Sequence, residues 1–171
     1  MIRHAPREAS DDFAASEEGD PEAEITPEGK LIATAMGEWM ADKEEIPTVI
    51  YASPVLRTQM TASLIAEAIA DAGFVKPEIE TDEGIGPYMS IRALVLKLLA
   101  DKASVRVAIV SHHESIMIGL NALSIDNEGK KKEIDVYASG EVRILKIKRK
   151  NGDWSEHNRV RPSDIGFSDY Y

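Results

Sequence analysis

Val105-Arg106-Val107-Ala108-Ile109-Val110-Ser111-His112-His113-Glu114 joins two kinds of chemistry in one short stretch. Its first part is nearly continuous in apolar residues, as a central parallel strand buried on both faces must be. Its last part places a hydroxyl, two imidazoles and a carboxylate at that strand's carboxyl end, which is where open α/β sheets bind ligands. A buried strand needs neighbours, and the chain on either side has to supply them.

Reading outward toward the N-terminus, Ser90 to Lys102 has helical spacing, with Ile91, Leu94, Val95, Leu98 and Leu99 on one face. Before it come the strand-like Glu78-Ile79-Glu80-Thr81 and a loop through Asp82, Glu83, Gly84, Gly86 and Pro87. A helix from about Leu56 to Asp71 presents Met60, Leu64, Ile65, Ala68, Ile69 and Ala72, and Gly73 stands at its C-cap. Thr48-Val49-Ile50-Tyr51-Ala52-Ser53 is a short β-branched run, hence a buried strand ended by Ser53-Pro54. Thr26 as N-cap and Pro27 at the first helical position start a helix that runs to about Asp42. Its Ile32, Ala35, Met36, Trp39 and Met40 belong to a core rather than to a cofactor site.

Toward the C-terminus, Ser115 to Leu123 is helical. The order strand–helix, repeated four times, predicts an α/β fold with crossover helices on both faces of a mostly parallel sheet, a three-layer α/β/α arrangement. The tail differs: Ile134–Tyr137 and Glu141–Arg149 read as strands, Asn151-Gly152 as a hairpin turn, and Trp154 as the start of an antiparallel return. The apolar residues change phase within Val142, Ile144, Leu145 and Ile147, which either a bulge or burial on two sides would produce.

The 171 residues are expected to form a single domain, 1–171, with an acidic loop over 8–24. That loop carries Glu8, Asp11, Asp12, Glu17, Glu18, Asp20, Glu22 and Glu24 and no basic residue, a solvated segment or an acidic rim that repels polyanions. A formal charge of −10 makes nucleic acid and anionic membrane surfaces poor partners. With no Cys, thiol catalysis, disulfides and Cys-ligated metals are excluded. No apolar signal region follows Met1 and no apolar run is long enough to span a bilayer, so a cytoplasmic location is expected.

Two of the four His residues, His4 and His112, lie at predicted strand ends, as do Arg3 and Arg57. Two imidazoles and two guanidiniums in one crevice suit a tetrahedral dianion, because guanidinium pairs bidentately with phosphate oxygens. One imidazole can attack phosphorus and the other can stabilise the transferring group.

Arg3-His4-Ala5, Thr26-Pro27-Glu28-Gly29, the block Ser53-Pro54-Val55-Leu56-Arg57-Thr58-Gln59-Met60-Thr61-Ala62, and Val110-Ser111-His112 resemble, in order and spacing, the histidine phosphatase superfamily with its phosphoglycerate-mutase-like fold. Tyr137-Ala138-Ser139-Gly140, Trp154 and Val160-Arg161-Pro162-Ser163-Asp164, with the short chain, are similar to the SixA-type phosphohistidine phosphatases. The resemblance implies a metal-independent, cofactor-free phosphatase acting through a phosphohistidine on His4. By the same resemblance, Arg3, Arg57 and His112 are expected to hold the phosphoryl group, and the expected substrate is a phosphorylated small molecule or a phosphohistidine protein.

The general acid is open between Glu83, the position nearest the expected place, Asp82 and Glu114. A blurred acid favours a phosphoramidate or another activated phosphate, since imidazole leaves more readily than alkoxide. Arg7 and His113 are read as residues of the site rim, Ser10 is undecided, and His157 is read as a surface histidine. Only Met1 and Ile2 precede Arg3 where a full central strand is called for. The expectation is a start placed at an internal Met, or a sheet that lacks its inner strand and holds His4 on a fraying terminus. Rival readings are a broad-specificity phosphomonoesterase or mutase-like protein, a degenerate phosphate-binding protein without turnover, and a zinc hydrolase using His4, His112, His113 and a carboxylate. Oligomeric state is left open.

Overall fold

The computed structural model describes residues 1–8, 20–101, 106–123, 134–148 and 154–169. Most of the acidic loop, Ser10 and the Asn151-Gly152 turn therefore lie outside the described residues. The elements run β1 (Ile2–Arg3), α1 (Pro27–Asp42), β2 (Val49–Ala52), α2 (Leu56–Asp71), β3 (Glu78–Thr81), a 3₁₀ turn (Glu83–Ile85), α3 (Arg92–Ala100), β4 (Val107–Ser111), α4 (His113–Leu123), β5 (Val142–Ile147), β6 (Trp154–Val160) and a second 3₁₀ turn (Pro162–Ile165). The sheet order is β3-β2-β4-β1-β5-β6; β1 to β4 are mutually parallel, and β5 runs antiparallel to both β1 and β6.

Alternation along the strands divides the core into two layers. Ile2, Ile50, Ala52, Ala108, Val110 and Val142 face α1 and α2, which contribute Ile32, Met36, Met40, Ile65 and Ile69. Ile109 faces the opposite way, toward Leu94 and Val95 of α3 and Ile116 and Leu120 of α4. The expected α/β/α layering results. Thr26 caps α1 by accepting from Gly29 N–H at 2.9 Å. Of the predicted faces, Ile32, Met36, Met40, Ile65, Ala68, Ile69, Ile91, Leu94 and Val95 are buried, Ala35, Trp39, Met60, Leu64, Leu98 and Leu99 are partly buried, and Ala72 is exposed beyond the end of α2.

One expectation needs correction, and two open points are resolved. Ile134–Tyr137 is not a strand. The carbonyls of Asp135 and Val136 accept from the Arg143 guanidinium at 3.2 and 3.0 Å, and that of Tyr137 accepts from Arg3 at 2.6 Å, so side chains take the bonds a ladder would have taken. Along β5 the phase change is two-sided burial: Val142 and Ile144 pack toward α1 and α2, Leu145 and Ile147 toward α3 and α4. The irregularity sits on β6, where Ile144 pairs with Asn158 and Leu145 with Glu156, leaving His157 as the extra residue.

The inner strand is short rather than absent. Ile2 and Arg3 pair with Val110 and Ser111, and Ile2 also pairs with Val142. Met1 exchanges backbone bonds with Arg143 at 2.9 Å in both directions. The terminus is thus tied into both neighbours rather than frayed. Before it, β4 and β5 flank a groove of about 610 Å³ whose lining includes Met1, Val107, Ile109, Ile144 and Leu145.

Candidate active site

The strand order explains why distant motifs meet. β2, β4 and β1 are adjacent, so their carboxyl ends deliver Ser53, Ser111-His112 and Arg3-His4 to one edge of the sheet. Arg57 joins them from the first turn of α2. His4 N–H donates to Ser111 O at 3.0 Å, continuing the β1–β4 pairing one residue past the strand. Ala5 N–H donates to Thr61 Oγ1 at 3.1 Å, and Thr61 Oγ1 donates to Arg57 O at 2.7 Å, linking the first segment to α2.

His4 is buried, at 8% exposure, and its Nδ1 lies 2.8 Å from Ala5 O. A carbonyl can only accept, so Nδ1 carries the proton and Nε2 keeps its lone pair. His4 is held well below the usual imidazole pKa, first by burial and then by His112, Arg57 and Arg3, against the opposing bond to Ala5. Withdrawal from water is a larger cause than the neighbouring cations.

His112 is also buried, and its pKa is brought down to about 3 by burial, then by Arg57 and Arg3. Its Nδ1 lies 3.3 Å from an Arg57 terminal nitrogen and its Nε2 2.9 Å from Ser53 Oγ. Arg57 has no acceptor, so Nδ1 receives and Nε2–H donates to Ser53. The two histidines therefore expose opposite tautomers to the crevice, with ring centroids 5.3 Å apart.

The guanidiniums are held but not saturated. Arg57 donates to Asp20 O at 3.1 Å and to His112, yet its Nε is buried without a partner; the same holds for Arg3 Nε beyond the bond to Tyr137 O. Buried donors of this kind are costly unless a ligand satisfies them. Burial, with Arg7 next, lowers the Arg57 pKa to about 10, which still leaves it charged at neutral pH. A pair of cations with orphaned donors beside two neutral imidazoles is equipped to receive a tetrahedral oxyanion.

Arg7 is half-buried at the base of the 8–24 segment, where it bridges to Ile25, and its field reaches Arg57. His113 begins α4 with its Nδ1 buried and unpartnered, and its pKa is lowered by burial and then by Arg3. Glu83 is exposed on the 3₁₀ turn after β3, while Asp82 is occupied as that turn's cap, accepting from Gly84 N–H at 2.8 Å. Glu114, in the first turn of α4, is the carboxylate whose field acts on Arg3, Arg57 and His113 alike. Among the described residues, no three His, Asp or Glu side chains form a group able to hold a metal ion, and no helix is long and apolar enough to cross a membrane.

Sequence reasoning gave no role to Ser53, Thr61 or the Tyr137–Glu141 segment. Ser53 and Thr61 were visible in the Ser-Pro-x-x-Arg-Thr-x-x-Thr block, but only the fold reveals what their hydroxyls bind.

Residues 1–85 match the family model of the histidine phosphatase superfamily (branch 1). Among solved structures, the protein histidine phosphatase SixA complexed with tungstate aligns at a TM-score of 0.70 and 15% identity, covering 96% of this chain and 96% of that one. A mycobacterial glucosyl-3-phosphoglycerate phosphatase aligns at 0.67 and 15%, covering 92% and 95%. A phosphoserine phosphatase from Entamoeba histolytica aligns at 0.63 and 18%, covering 92% and 93%. No curated protein matches the chain.

Proposed function

We propose that the chain is a member of the histidine phosphatase superfamily, whose family model matches residues 1–85, and that it hydrolyses a phosphorylated substrate through a phosphohistidine formed on His4. The observation that carries this reading is the His4 tautomer: Nδ1–H is spent on Ala5 O, and the free lone pair of Nε2 lies beside two arginines with unpaired buried donors. In the first step Nε2 attacks phosphorus, the Nε2–P bond forms and the bond to the leaving group breaks. Arg3 and Arg57 neutralise the charge on the non-bridging oxygens without a metal ion. In the second step water attacks phospho-His4, the P–N bond breaks, and inorganic phosphate leaves with the proton the water gives up.

His112 enters this scheme neutral. A bound dianion raises its pKa, so that a proton gained at Nδ1 gives the transferring group a donor where the free protein has an acceptor. For the general acid, Glu114 is favoured over Glu83 and Asp82: Glu114 and Glu83 are both exposed, but the field of Glu114 reaches Arg3, Arg57 and His113, while Asp82 caps its turn.

The preferred substrate is a phosphohistidine protein or another activated phosphate. Similarity to the SixA structure supports this choice, while the phosphoserine and glucosyl-3-phosphoglycerate phosphatases support the alternative of a small phosphate ester. The deciding experiment incubates wild type and His4→Ala with phosphoramidate, then supplies a phosphohistidine peptide or p-nitrophenyl phosphate. An acid-labile phosphoryl label on His4 and faster hydrolysis of the peptide are expected. Turnover that survives His4→Ala, or a label elsewhere, sinks the mechanism; faster hydrolysis of the ester moves the assignment to a phosphomonoesterase.

A further inference from the structure

The segment Tyr137–Glu141 lies outside any strand, yet Tyr137 and Ala138 are fully buried and Ser139 and Glu141 nearly or fully so. Buried irregular backbone must find a partner for each polar group. Several of these partners belong to Arg3 and His4. Tyr137 O accepts from the Arg3 guanidinium at 2.6 Å, Gly140 N–H donates to Arg3 O and His4 O at 3.1 and 3.0 Å, and Glu141 O accepts from Arg3 N–H at 3.2 Å. Gly140 is held at φ +85°, and a Cβ there would meet Ile32 Cγ2 at 2.5 Å, so the turn has little freedom to relax.

Beneath the turn, the Glu141 carboxylate is completely buried. It accepts from Ala138 N–H at 2.8 Å, from Arg161 Nε at 3.3 Å and from Arg143 Nε. Arg143 in turn lies 3.8 Å over the Tyr137 ring and donates to Asp135 O and Val136 O. One carboxylate therefore braces the turn directly through Ala138 and indirectly through Arg143.

We infer that Glu141 is a positioning residue: its carboxylate sets the Tyr137–Gly140 turn, and that turn aims the Arg3 guanidinium and the His4 backbone. The inference rests on the phosphoryl-transfer reading of His4 and adds to it a part of the chain remote in sequence. On the His4 backbone, the Gly140 N–H bond to His4 O complements the bond from His4 N–H to Ser111 O, so the turn and β4 hold that residue from two sides.

The test compares wild type, Glu141→Gln and Gly37→Ala by orthovanadate affinity, by kcat and KM on p-nitrophenyl phosphate, and by melting temperature. Glu141→Gln is expected to weaken vanadate binding and to lower kcat by about tenfold each, with KM moved less, because a small displacement of a positioned group costs rate steeply. Gly37→Ala crowds the packing of α1 on α2, away from the site, and is expected to lower the melting temperature while leaving kcat and vanadate affinity unchanged. A Glu141→Gln protein that melts lower but keeps vanadate affinity and kcat within about twofold overturns the inference. Should that variant not fold, Arg161→Gln, which removes one partner of the carboxylate, replaces it; vanadate binding weakened by about threefold or more supports the inference and unchanged binding overturns it. Wild type that binds vanadate without turning over any phosphate refutes the proposed function alone, while wild type that binds no vanadate refutes both.

Discussion

Ser53 Oγ lies 2.9 Å from His112 Nε2, and both atoms are buried. With Arg57 donating to the other ring nitrogen, this contact fixes the His112 tautomer and the plane of its ring. Replacing Ser53 by Ala leaves a buried N–H without a partner, a loss of about 1–3 kcal/mol shared between stability and the proposed phosphoryl transfer. The expected result is a fall in kcat of about tenfold on p-nitrophenyl phosphate, with the His4 label retained. Initial-rate kinetics beside a thermal melt separates the two effects.

Acid should act on stability before it acts on the nucleophile. His4 and His112 have folded pKa values below their ordinary 6.5, His112 at about 3, so below pH 6.5 the unfolded chain binds protons that the folded protein refuses. The stability from keeping these rings neutral is therefore intact above pH 6.5 and declines as pH falls from there toward about 3. Urea melts at steps between pH 8 and pH 4 should show a falling midpoint that His112→Asn flattens. Because folded His4 stays neutral, kcat/KM should not drop with an apparent pKa near 6.5.

Glu114→Gln and Glu83→Gln should differ. On p-nitrophenyl phosphate, Glu114→Gln is expected to lower kcat by about tenfold or more, and Glu83→Gln to change it less than about twofold. On a phosphohistidine peptide, whose imidazole leaves without strong acid assistance, both effects should shrink. Equal rates for the two variants on the ester would remove Glu114 from the proposed role.

Gly37 lets α1 and α2 approach closely: a Cβ there would stand 2.7 Å from Ala68 Cβ and from Ile65 O. Gly37→Ala should destabilise by about 1–3 kcal/mol through overpacking, although Ala is the better helix former. Denaturant melts would measure the loss, and kcat on the surviving folded fraction should be unchanged.

The α/β alternation and most helix bounds were legible because Ile, Val and Leu recur at helical spacing or in short runs, and Thr26-Pro27 announces a helix start. Proximity of His4, Arg57 and His112 was legible only through the ordered motifs, since nothing in local pattern says that β1 lies between β4 and β5. Ile134–Tyr137 misled because β-branched and aromatic residues read as strand, while the guanidiniums of Arg143 and Arg3 take their carbonyls. The same blindness hid Glu141: one charged residue between Gly140 and Val142 looks like a solvated edge until Arg143 and Arg161 close over it.

The place of β1 has a consequence for how the chain is made. Ile2 pairs with Val110 on one side and Val142 on the other, so neither ladder can close while the ribosome is still adding the middle of the protein. Loop closure over such separations is slow, and the contacts that reward it come late. His4 precedes both β4 and β5 in the chain, so its setting is complete only when both of those strands have been made.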